Sequence, residues 1–92
     1  MTPPTIKDEA PPQGDDALLA RAAEGDRAAF GQLYDRHVRP VYWQAYAVVR
    51  DADEAEDIAQ DVFITMWSKI RAINLVDESV LPWLLVTARF TA

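Results

Sequence analysis

Wound as a helix, the segment from Asp53 to Trp67 carries two stripes. Ala55, Ile58, Ala59, Val62, Phe63, Met66 and Trp67, continued by Ile70, recur at the three-and-four spacing that predicts one buried face. Asp57, Gln60, Asp61 and Ile64 follow the same spacing on the other side, so carboxylates, an amide and an isoleucine share an outward surface. A solvated face has no need of that isoleucine, and the combination reads as a docking surface.

The remaining pattern predicts three more helices. Leu18, Leu19, Ala22 and Ala23 mark a short first helix, capped by Asp15 or Asp16 and stopped by Gly25 in a left-handed cap. Asp26 then caps a second helix that runs to about Arg50, with an apolar stripe of Phe30, Leu33, Tyr34, Val38, Val41, Tyr42, Ala45, Val48 and Val49. Pro40 inside it should bend or split it. The short link from Arg50 to Asp53 predicts that the second and third helices lie antiparallel, with Asp53 and Glu56 as a capping box at the start of the third. After Ile70 the periodicity fades into an unusually apolar loop, and Ser79 can cap a last helix that tolerates Pro82 in its first turn. Pro3, Pro4, Pro11, Pro12 and Gly14 among polar residues predict a disordered leader over 1–14. The expectation is an all-α fold, a compact bundle of about four helices over 15–92.

Composition narrows the function. A chain of 92 residues holds one domain, and the lack of cysteine excludes a disulfide framework, a thiolate metal site and a cysteine nucleophile. His37 is the only histidine and is expected to be satisfied or at the surface. No apolar run approaches membrane-spanning length and no secretion signal is visible, which predicts a soluble, intracellular domain. The net charge of −6 argues against non-specific clinging to a phosphate backbone, so any nucleic-acid role must be local or assisted. Asp51, Asp53, Glu54, Glu56, Asp57 and Asp61 follow one another without an intervening base and would steer a cationic partner. There is no phosphate loop, nucleophile elbow or acid–base carboxylate pair, so no enzyme and no cofactor are expected; Asp57 and Asp61 lack the further oxygen ligands a metal needs. Trp67 and Trp83 fall on apolar stripes and are expected in the core, Trp43 is expected to be partly exposed, and Arg36 and Arg39 to be solvated.

Three runs in order resemble the second conserved domain of bacterial sigma factors of the extracytoplasmic-function class. They are Leu18 to Phe30, an opening helix with a Gly-Asp turn; Ala55 to Phe63; and Leu81 to Arg89, with Pro82-Trp83-Leu84 and Ala88-Arg89. The resemblance covers about Asp16 to Ala92. It implies a cytoplasmic transcription-initiation factor that binds core RNA polymerase, docks on the clamp helices of its largest subunit and captures the melted non-template strand of the minus-ten promoter element. On that reading Asp57, Gln60, Asp61 and Ile64 form the polymerase face, and the loop from Arg71 to Glu78 holds a flipped base, with Lys69, Arg71, Asn74 and Arg89 as DNA contacts. An anti-sigma protein is a further implied partner. The chain departs from the family in its loop, where Ile73, Asn74, Leu75 and Val76 replace a common Phe, Arg and Gly, and at Phe90, where Asn is common. The resemblance also implies a C-terminally truncated domain, because the basic end of the promoter-reading helix and a second DNA-binding domain would follow. The competing reading is an acidic helical adaptor or dimerisation domain that binds no nucleic acid.

Overall fold

The computed structural model describes residues 14–91, in which four helices follow one another: α1 (Asp15–Ala23), α2 (Arg27–Val49), α3 (Ala52–Ser68) and α4 (Leu81–Thr91). A 3-10 turn at Ile70–Ala72 leaves α3. Of the expected leader only Gly14 belongs to this range, as the extended residue before α1; the rest lies outside the described residues.

Side chains that catch free N–H groups set two of the helix starts. Gly25 takes a φ of 99°, which a side chain would oppose, and closes α1 as predicted. Asp26 then accepts the N–H groups of Ala28 and Ala29 at 3.0 and 3.2 Å, and its other oxygen pairs with Arg21 Nη2 at 2.7 Å. The corner between α1 and α2 is thereby held from both sides. At α3 the expectation needs correcting: Asp51, not Asp53, caps the helix, accepting the N–H of Glu54 at 3.0 Å. Arg50 turns the chain with a left-handed φ of 58° and leaves Asp51 extended, so the helix begins two residues early and Asp53 falls within its first turn.

Pro40 does not split α2, which continues through it as one helix of 23 residues. The ring removes the bond that position 40 would donate to the carbonyl of Arg36, and packing on both sides carries the helix across the gap. α2 and α3 lie antiparallel. Phe30 meets Trp67 edge-on at 5.0 Å between ring centroids, and Tyr34 meets Phe63 at 4.9 Å, so four steps up α2 match four steps down α3. Carried onward, that register brings Ala45 level with the first turn of α3 and leaves nothing opposite Val48. Val48 is accordingly exposed, although the stripe assigned it to the core. α4 packs against both α2 and α3, and Leu18, Leu33, Val41, Val62, Met66, Val80 and Leu84 are the large side chains sealed between the helices.

The segment between α3 and α4 is more ordered than a plain loop. Ile73 is buried, and Val76 and Ser79 exchange both backbone hydrogen bonds, at 3.1 and 3.0 Å. The two residues between them, Asp77 and Glu78, have φ of 53° and 63°. Tight reversals of this kind prefer Asn-Gly, and a left-handed residue with a side chain costs roughly 1–2 kcal/mol.

Candidate functional site

The outward side of α3 carries the sequence-predicted set as one surface. Asp57, Gln60, Asp61 and Ile64 are all exposed, Ile64 at 64%, while Ala55, Ile58, Ala59, Val62, Phe63 and Met66 behind them are buried. None of the side chains of Asp57, Gln60 and Asp61 is engaged in a hydrogen bond or ion pair with another described residue. Two recesses flank this strip. Gln60 forms part of a groove with Arg39, Tyr42, Trp43 and Glu56, in which Trp43 stands edge-on to Tyr42 and Tyr46. At the other end Ile64 lies beside an apolar recess with Arg27, Phe30 and Trp67. Trp67, expected in the core, is 38% exposed because its ring closes the margin of the α2–α3 contact rather than its centre. Arg39, Trp43 and Arg27 join the site only in the folded chain; their stripe neighbours on α2 are the sequence signal for them.

Lys69, Arg71, Asn74 and Arg89 are likewise exposed, with no side-chain partner among the described residues. Lys69 and Arg71 line one cleft between the ends of α1 and α3. Asn74 follows in the extended segment, whereas Arg89 stands apart in the last turn of α4.

A buried polar centre lies behind the loop. Asp15, expected to cap its own helix, is only 4% exposed, and its carboxylate turns inward. One oxygen accepts Arg36 Nη1 at 2.8 Å; the other lies 2.8 Å from His37 Nε2, 2.9 Å from the Val80 nitrogen and 3.4 Å from Ser79 Oγ. An ionised carboxylate only accepts, so His37 donates from Nε2. Burial pushes the Asp15 carboxyl up, but the Val80 N–H, then His37 and Arg36 outweigh it and hold the group below its ordinary 3.8. Arg36 is exposed as expected, and its guanidinium is anchored on Asp15 as well. Asp26 is also lowered, by the Arg21 hydrogen bond first and the Ala29 N–H next.

Residues 33–92 match the family described as Sigma-70 region 2. The chain belongs to this family. This region 2 is 40% identical over 73 residues to the RNA polymerase sigma factor NccH of Alcaligenes xylosoxydans xylosoxydans, covering 79% of this chain and 39% of that protein. It is 36% identical over 73 residues to the extracytoplasmic-function sigma factor SigK of Mycobacterium bovis, with the same coverages of 79% and 39%. With SigK of Mycobacterium ulcerans it shares 35% over 80 residues, 85% of this chain and 43% of that protein. The chain thus spans about two fifths of the length of the curated relatives it matches. No solved structure matches it significantly. Region 2 is a domain of transcription-initiation sigma factors, which are not enzymes. Among the described residues, no helix of this region 2 is long and apolar enough to cross a membrane.

Proposed function

We propose that the domain docks on the clamp helices of the largest subunit of core RNA polymerase and captures the melted non-template strand of the minus-ten promoter element, acting in the cytoplasm under the control of an anti-sigma protein. The observation that carries this reading is the uncommitted outer side of α3, where Asp57, Gln60 and Asp61 have no internal partner and Ile64 is exposed. Carboxylates in that state are available for charge-assisted bonds from Arg or Lys, and they draw a cationic surface toward them before contact. Full burial of an isoleucine side chain adds roughly 1.5–3 kcal/mol to such a contact. Lys69, Arg71 and Asn74 offer a strand both charge and hydrogen-bond donors beside the loop, and Arg89 adds a cation on α4. With a net charge of −6, the domain binds DNA on this reading only when the polymerase presents the strand to it.

Replacing Asp61 by Lys is expected to weaken binding to core polymerase at least about tenfold, the loss of a charge-assisted bond and its conversion to repulsion. The thermal midpoint of the domain should not move, because Asp61 is exposed. Unchanged affinity in a pull-down with core enzyme overturns the docking surface. Replacing Asn74 by Ala in the polymerase-bound domain should weaken single-stranded minus-ten oligonucleotides by about 1 kcal/mol, roughly fivefold, measured by fluorescence anisotropy. Equal affinities remove Asn74 from the strand contacts.

A further inference from the structure

Asp15 and His37 are the buried polar residues among the described ones, and neither belongs to the surfaces proposed above. Their placement is informative because it joins three elements. The carboxylate comes from the first turn of α1, Arg36 and His37 from the middle of α2, and Ser79 with Val80 from the entrance of α4.

We infer that Asp15 is a positioning residue that sets the shape of the segment 73–80 and the start of α4. The functional consequence, a loop held ready for a strand, rests on the reading proposed above. Two independent observations lead to it. The first is the accounting at the start of α4: Val80 gives its N–H to Asp15, Leu81 gives its N–H to Ser79 Oγ at 3.1 Å, and Pro82 has none to give. The helix entrance is thus satisfied by Ser79 together with a carboxylate from 65 positions earlier in the chain, and an anion at a helix N-terminus is the favourable sign of charge. The second is the reversal at Asp77 and Glu78, where both residues adopt left-handed backbone without being glycine. Such a turn persists when its flanks are held. Its two backbone bonds hold it locally, and the Asp15 grip falls on Ser79 and Val80 immediately after it. Arg36 and His37 fix the carboxylate in turn, so the loop takes its shape from α1 and α2 as well as from its own backbone bonds.

The test compares the 92-residue chain with its Asp15→Asn variant, which keeps the volume and one acceptor but loses the charge. Amide hydrogen exchange is expected to accelerate at least about tenfold more across 76–84 than at the α2 and α3 amides between 41 and 66, which share only the global loss of stability. With both proteins bound to core RNA polymerase, affinity for a pool of mixed-sequence single-stranded 12-mers should fall about tenfold while affinity for the polymerase stays within about twofold. If Asp15→Asn fails to fold, Arg36→Ala takes its place, because it loosens the carboxylate without touching the segment, and faster exchange concentrated at 76–84 is again expected. Uniform acceleration throughout the domain, or no change at 76–84, overturns the inference. If the unaltered chain on polymerase ignores the 12-mers, the strand-capture reading fails, and the exchange pattern alone decides whether Asp15 positions the segment.

Discussion

The carboxylate of Asp15 accepts the backbone N–H of Val80 at 2.9 Å and ties α1 to α4 across 65 positions of chain. His37 and the Val80 N–H would otherwise be buried donors without an acceptor. Truncation therefore costs more than the bonds themselves, because Arg36, His37 and the Val80 N–H would lose their partner together.

Asp15→Ala is expected to destabilise the domain by about 3–5 kcal/mol at pH 7, measured by urea unfolding. The same group should show in acid. Its carboxyl is held below the ordinary 3.8 in the folded chain, so the unfolded chain takes up the proton first as pH falls. A carboxyl lowered by folding contributes stability above its unfolded value, and that contribution is lost as pH drops through the folded value. Stability should accordingly decline below about pH 4, and Asp15→Asn should flatten the decline. Some slope remains, since Asp26 is lowered too. An Asp15→Asn profile parallel to that of the unaltered chain would contradict the assignment.

Phe63 and Ile64 are adjacent in sequence and opposite in environment: Phe63 is 2% exposed against Tyr34, and Ile64 is open to solvent. Phe63→Ala should cost about 3–5 kcal/mol of folding stability. Ile64→Ala should stay within about 0.5 kcal/mol. Chemical denaturation of the two variants side by side checks the orientation of α3, and comparable losses would mean that its two faces are misassigned.

The correction at the start of α3 is also measurable. Asp51→Ala removes the acceptor of the Glu54 N–H and should lower stability by about 1 kcal/mol. Asp53 only favours the positive end of the helix, and Asp53→Ala should cost a few tenths of that, about 0.3 kcal/mol. Thermal melts that rank the two in the opposite order would return the cap to Asp53.

Periodicity carried most of the fold. The inner and outer faces of α3, the left-handed stop at Gly25 and the cap at Asp26 follow from spacing and residue type alone, because each depends on contacts within a few residues. The Asp15 centre is legible in the same pattern. Asp15 precedes Leu18, Leu19 and Ala22 by three, four and seven positions, which puts it on the buried stripe of α1, and His37 lies four from both Leu33 and Val41 on α2. An acid at a helix start is usually a cap, and that local habit concealed the register argument. What spacing could not supply was the partner: Val80 is distant in sequence, and only the packing of α4 against α2 and α3 brings its N–H to the carboxylate. The α3 cap slipped by two residues for a similar reason, since both Asp51 and Asp53 have a Glu three positions on and the left-handed turn at Arg50 chose between them.

The two aromatic pairs, Phe30 with Trp67 and Tyr34 with Phe63, act as teeth of a gear between α2 and α3. Sliding by a turn or rolling about the axis would disengage both at once. The azimuth of Asp57, Gln60, Asp61 and Ile64 is therefore locked to the interior, and an incoming host meets a pre-aimed row of groups with little rotational freedom left to lose on association.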